Sequence, residues 1–143
     1  MLTFGGAYSN HIAAVAAAGF EMGLETIGVI RGEEIADRIA ENPTLSFAKS
    51  KGMKFHFVSR EDYRQKTELD FISSLQKKFG PFYLIPEGGT NALAVKGCEE
   101  ILNQSDIDYD YICTPVGTGG TIAGLINASG PNQKVIGFSI LKG

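Results

Sequence analysis

Glycines meet hydroxyl, amide and carboxylate side chains at three places in this 143-residue chain. The sharpest is Val116-Gly117-Thr118-Gly119-Gly120-Thr121. Successive glycines let backbone N–H groups converge on an anion. The start of a following helix adds partial positive charge, and threonine hydroxyls can donate further bonds. The stretch is not the dinucleotide pattern, which needs G-x-G-x-x-G and a later acid, nor a P-loop, which ends Gly-Lys-Ser/Thr. A small phosphate monoester suits it better than a pyrophosphate. The competing reading is a tight strand-to-helix turn without ligand.

In Gly5-Gly6-Ala7-Tyr8-Ser9-Asn10-His11 two glycines permit close backbone approach, while Ser9 and Asn10 present a hydroxyl and an amide at a helix start. Helix N-caps prefer the same residue types, so capping alone accounts equally well for Ser9 or Asn10. His11 can exchange a proton near neutral pH, and a helix-surface or supporting role is the first expectation for it. His56, inside an alternating strand, reads as structural. In Pro86-Glu87-Gly88-Gly89-Thr90-Asn91 the glycines and cap groups either receive a substrate carboxylate or make a sharp turn, and Glu87 either orients backbone amides or, the preferred reading, is a solvated loop carboxylate.

These stretches need rigid elements behind them. Leu2–Phe4 is a strand stub before the Gly5-Gly6 turn. Ser9–Leu24 carries Ile12, Val15, Gly19 and Met22 at helical spacing, and Thr26–Ile30 reads as a buried strand. Asn42 with Pro43 has the form of an N-cap and first helical residue, opening a helix that runs to Gly52. Lys54–Val58 alternates like a strand. Phe71, Ile72, Leu75 and Phe79 describe a helix face closed by Gly80 and Pro81. Phe82–Ile85 is the next strand, followed by a helix capped by Thr90 or Asn91 with Ala94, Gly97, Cys98 and Ile101 on one face. Tyr109–Val116, Ile122–Asn127 and Val135–Leu141 read as strand, helix and strand. Glu33–Gln65 is the least patterned part, and Arg60-Glu61-Asp62 marks a solvent-facing connection.

Strands alternating with helices predict an α/β fold with open, mostly parallel sheets flanked by helices. Ligands in such sheets gather at the carboxyl ends of strands, where the glycine stretches lie. Two lobes are expected, 1–85 and 86–143. Both ends look cut, with about three residues before the first glycine turn and a last strand that stops where another loop would begin, so the expectation is a fragment of a longer enzyme.

Composition removes several function classes. A net charge of −3 and no basic stripe argue against a nucleic-acid partner bound through phosphate neutralisation. No run approaches about 20 apolar residues, so no membrane partner is expected, and no leader-like start is visible, which predicts a cytoplasmic protein. Cys98 and Cys113 lack the spacing of a zinc site or a disulfide framework and are expected to be buried free thiols, with no metal bound.

The order GGAYSNH, NPTLSFAKSKGM, IPEGGTN, PVGTGGTIAGL resembles the pyridoxal-phosphate enzymes of the tryptophan synthase β-like fold (fold type II). Within them it is similar to the 1-aminocyclopropane-1-carboxylate deaminase and D-cysteine desulfhydrase family, over nearly the whole chain. The resemblance implies pyridoxal 5′-phosphate as cofactor, with Gly117, Thr118, Gly119, Gly120 and Thr121 holding its phosphate and Val116 at the loop entrance. It implies that Asn10 hydrogen-bonds the cofactor's ring oxygen, and that Ser9 faces a small amino-acid substrate as a catalytic group. The implied reaction is sulfide elimination from D-cysteine or ring opening of the cyclopropane amino acid, releasing ammonia and a 2-oxo acid, in a homodimer when full length. Family members known for deaminase activity tend to carry glutamine where this chain has Tyr8, which leaves the substrate open. The lysine that the family bonds to its cofactor lies well upstream of the Ser-Asn pair, and eight residues precede Ser9. Lys49, Lys51, Lys77, Lys78 and Lys142 all read as surface or chain-end residues. A non-catalytic phosphate-ligand binding module is therefore the alternative, and another branch of the fold, such as cysteine synthase or threonine deaminase, a third.

Overall fold

The computed structural model describes residues 1–140. The chain packs as two compact units, Met1–Glu87 and a second that begins at Gly88.

In the first unit, strands β1 (Leu2–Gly5), β2 (Ile27–Arg31), β3 (Lys54–Val58) and β4 (Leu84–Ile85) form one sheet in the order β3-β2-β1-β4. All neighbours are parallel, with Phe4 beside Val29 and Thr3 beside Ile85. The register follows from strand alternation, which sends successive side chains to opposite faces. Ile30 packs with Ile12, Val15, Ala16, Leu45, Ala48 and Met53 on one face. Its neighbour Val29 packs with Leu2, Phe4, Val58, Tyr63 and Leu75 on the other. A parallel sheet needs such cover on both sides.

The covering helices are α1 (Asn10–Met22), α2 (Pro43–Ser50), α3 (Arg60–Arg64) and α4 (Leu69–Phe79). Capping fixes where they begin: Asn42 Oδ1 accepts from Leu45 N–H at 2.9 Å with Pro43 next in line. Left-handed Gly23 (φ 65°) stops α1 at Met22, short of the predicted Leu24, and α2 stops at Ser50 rather than Gly52. Glu33–Glu41 is a 3₁₀ segment broken at Arg38. Arg60-Glu61-Asp62 is solvent-exposed as expected, but it is helical rather than a plain connection. Ser59 caps it into the one-turn helix α3, which carries Tyr63 into the core at 2% exposure. One turn is too short to show a period in sequence. β4 keeps only two of its predicted residues, the two that pair with Leu2 and Thr3.

The second unit holds α5 (Ala92–Cys98), the strand β5 (Tyr111–Val116), α6 (Gly120–Ala128) and β6 (Lys134–Ser139), with β5 and β6 paired in parallel. α5 and α6 pack closely at Gly124, where a Cβ would collide with Cys98 Cβ and stand 2.6 Å from the Val95 carbonyl oxygen. The predicted face of this helix holds at Cys98, which meets α6 beside the Val95 carbonyl, and is corrected at Gly97 and Ile101, which are exposed. β5 begins two residues later than predicted, because the Gln133 amide bonds the Asp106 and Tyr109 carbonyls and holds them in a turn. Leu141 and Lys142, the predicted end of the last strand and the chain-end lysine, lie outside the described residues. Cys98 and Cys113 are free, but neither is buried: Cys98 is half-buried and Cys113 exposed. Cys113 sits on the open face of a two-stranded sheet, opposite buried Thr114 in the alternation.

Candidate functional site

The strand order β3-β2-β1-β4 reverses direction at β1. The chain moves outward from β1 to β2 and β3, then returns to place β4 on β1's other side. Such a reversal leaves a crevice at the carboxyl ends of the two flanking strands, which is where open α/β sheets take ligands. The segments leaving that point are Gly5–Ser9, after β1, and Pro86-Glu87, after β4.

Polar side chains cross-link the crevice. Thr3 Oγ1 donates to the Ile85 carbonyl at 3.0 Å and lies 2.7 Å from His11 Nε2. The single hydroxyl proton of Thr3 is spent on Ile85, so His11 Nε2–H donates to Thr3 and neutral His11 keeps a free lone pair on Nδ1. Burial pulls the His11 pKa below its ordinary value, against an opposing pull from the Glu87 charge. Ser9 is half-buried and caps α1, its Oγ accepting from Ile12 N–H over a long 3.4 Å. Asn10 is exposed as the first residue of α1. Gly5 serves packing: a Cβ there would come within 2.5 Å of Ile12 Cγ1. Gly6 meets only the Arg31 guanidinium, 3.7 Å from where a Cβ would stand.

Glu87 corrects the sequence reading. It is not simply solvated, since Oε1 accepts from the Tyr63 hydroxyl at 2.7 Å and Oε2 lies 3.3 Å from Lys66 Nζ. Burial and then this hydrogen bond push the Tyr63 phenol far above its usual pKa, so it is a neutral donor. Sequence reasoning missed Tyr63 and Lys66 as partners of this loop. The only available signal was the Ser59-x-x-Asp62 cap, which the structure completes with Ser59 Oγ donating to Asp62 at 2.8 Å.

In the second unit, Val116 ends β5 and Gly117 and Thr118 are exposed. Gly119 takes φ 92° at the N-cap of α6 and gives it no side-chain cap. The N–H groups of Gly120, Thr121 and Ile122 are first-turn donors without intrahelical acceptors. Thr118 and Thr121 bring hydroxyls, and no acid lies in the stretch. The preceding Gly88–Thr90 segment buttresses the loop. Thr90 Oγ1 and Thr118 Oγ1 share a hydrogen bond of 2.6 Å, and a Cβ on Gly88 (φ 70°) would press to 2.6 Å from Thr118 Cγ2. Asn91 is occupied as a cap, accepting from Ala94 N–H at 2.9 Å. Val116–Thr121 therefore forms a braced helix start without a side-chain cap, whose first-turn N–H groups are chemically suited to an anion. Among the described residues no group of His, Cys, Asp or Glu could hold a metal ion, and no helix is long and apolar enough to cross a membrane.

No protein-family model matches the chain. The chain is 32% identical, over 98% of its own length, to the mitochondrial bifunctional D-cysteine desulfhydrase/1-aminocyclopropane-1-carboxylate deaminase of Arabidopsis thaliana, and covers 39% of that protein. Over most of its length the chain is thus similar to proteins named as 1-aminocyclopropane-1-carboxylate deaminases and a D-cysteine desulfhydrase. It spans about two fifths of the length of the curated relatives it matches. The crystal structure of an ACC deaminase homologue superposes with a TM-score of 0.64 at 28% identity, covering 89% of this chain and 39% of that one. A pyridoxal 5′-phosphate-dependent aspartate racemase superposes with a TM-score of 0.65 at 18% identity, covering 94% and 40%, and shows that the fold is shared. The α/β fold with parallel sheets flanked by helices is thus the fold of this group of enzymes.

Proposed function

We propose that this chain carries the cofactor-phosphate site of a pyridoxal-phosphate-dependent deaminase or lyase acting on a small amino acid. The reaction is loss of sulfide from D-cysteine or ring opening of 1-aminocyclopropane-1-carboxylate, in either case with uptake of water and release of ammonia and a 2-oxo acid. The observation that carries the reading is the uncapped start of α6, braced by Thr90 through Thr118, in a chain similar to proteins named for those reactions. The N–H groups of Gly120, Thr121 and Ile122 and the hydroxyls of Thr118 and Thr121 would bind the phosphate. When bound, the cofactor draws electrons from the substrate's α-carbon, the chemistry both reactions need.

The remaining roles belong to the chain's own side chains. Asn10 would hydrogen-bond the cofactor's ring oxygen from the exposed first turn of α1. Ser9 makes only a 3.4 Å cap as an acceptor, which leaves its hydroxyl proton free to be donated to substrate. Neutral His11, oriented by Thr3, would stand behind this pair as a supporting group.

The test supplies the protein carrying this sequence with pyridoxal phosphate and each amino acid in turn, and follows sulfide, ammonia and 2-oxo acid. Cofactor-dependent 2-oxo acid from one of the two is the expected result, with Ser9→Ala lowering kcat by about a hundredfold or more. Saturable cofactor binding without turnover would replace this reading with a binding module. Turnover of L-cysteine, L-serine or threonine instead would move the protein to another branch of the fold.

A further inference from the structure

The first unit contains a cleft that uses none of the residues proposed to hold the cofactor. This cleft, of about 220 Å³, is lined by Arg31, Arg60, Tyr63, Arg64, Lys66 and Glu87. It opens at the carboxyl edge of the sheet: Arg31 ends β2, α3 follows β3, and Glu87 follows β4. Four cations line it in a chain whose net charge is −3.

Pairing decides what this cleft can take. Glu87 is neutralised from within by Lys66 at 3.3 Å and by the Tyr63 hydroxyl at 2.7 Å. Arg60 is paired with Glu34 at 3.1 Å. That leaves two guanidinium groups. Arg31 makes no hydrogen bond or ion pair among the described residues and lies 5.6 Å from the centroid of the Tyr63 ring, held by a cation–π contact. Arg64, one turn after Arg60 on the same side of α3, has no partner among the described residues. The Tyr63 ring is itself 2% exposed, so the surface beneath Arg31 is fixed. Two unpaired, planar, permanently charged groups around one concavity match two negative charges presented on carboxylate or phosphate oxygens.

We propose that Arg31 and Arg64 bind a small dianion, a phosphate or a dicarboxylate, in this cleft. The Tyr63 ring supports Arg31 through the cation–π contact, and the Lys66–Glu87 pair adds no net charge to the lining. The site stands independently of the cofactor reading.

The test is an NMR titration of arginine Nε–H resonances in the protein carrying this sequence, with inorganic phosphate and separately with succinate, at constant ionic strength. Arg31 and Arg64 shift along a saturating curve with one or both anions, while Arg38, which lines no part of the cleft, does not. Response to phosphate alone identifies a phosphate site, and response to succinate alone a dicarboxylate site. Arg64→Gln, an exposed position whose change leaves the backbone amide spectrum intact, weakens binding by about tenfold or more. No saturable shift with either anion, an equal shift at Arg38, or unchanged affinity in both Arg31→Gln and Arg64→Gln overturns the proposal. Because the signal comes from first-unit arginines, failure of phosphate binding at α6 leaves it unaffected.

Discussion

Tyr63 is held neutral by burial and donates a hydrogen bond to a half-exposed carboxylate, and that one bond ties α3 to the segment after β4. Tyr63→Phe keeps the ring and removes the donor. The expected cost is about 1–2 kcal/mol, read as a lower urea midpoint with unchanged slope; an unchanged midpoint would contradict the bond's role. His11 gives a pH prediction. Burial lowers its pKa in the folded state, so the unfolded chain takes up the proton first as pH falls below about 6.5. Stability is therefore full above that value and declines as pH falls toward the folded pKa. His56 acts in the same direction, through burial and then Lys78. Unfolding free energies at pH 8 and pH 5 should differ accordingly, and His11→Asn should reduce the difference. Equal slopes in the two proteins would sink the assignment. His11 and Glu87 are visible in the sequence as residues of polar loops. Their partners are not, because Thr3, Tyr63 and Lys66 reach them only through strand pairing and a helix of one turn.

Elements with a clear cap or stop are legible in the sequence. Asn42-Pro43 at the start of α2, Asn91 at the start of α5 and Gly80 after α4 all act as their types suggest. What residue types alone do not show is why particular glycines are glycines. Gly5 reads as a ligand-approach residue, yet a Cβ there collides with Ile12, so its small size is used by the core. Gly124 carries no purpose in the sequence pattern and proves to be the contact between α5 and α6. Gly124→Ala adds a methyl group against Cys98 and the Val95 carbonyl, and should destabilise by about 1–3 kcal/mol, measured as a loss of midpoint in chemical unfolding. A neutral result would mean that the two helices are not held together there. The predicted α5 face holds at Cys98 but loses Ile101, because the helix ends at Cys98 and continues as a 3₁₀ turn that carries Ile101 away from the predicted stripe.

For the molecule as a whole, alternation of strand and helix is enough to read parallel sheets with covering helices. The strand order is not readable, and it is the order that places the crevice between β1 and β4. Whether α6 begins at a phosphate-binding turn for pyridoxal phosphate is separable from catalysis through Thr121. Thr121 is exposed in the first turn of α6, where an acid favours the helix but repels an anion. The decisive measurement is the ³¹P NMR signal of pyridoxal phosphate titrated against the protein carrying this sequence and against its Thr121→Asp variant. A saturable bound phosphate resonance is expected in the parent. In Thr121→Asp the affinity should fall by about tenfold or more, with thermal stability unchanged or raised. A phosphate signal that stays at its free position in the parent, or binding that is equally tight in the variant, would overturn the assignment of this turn to the cofactor phosphate.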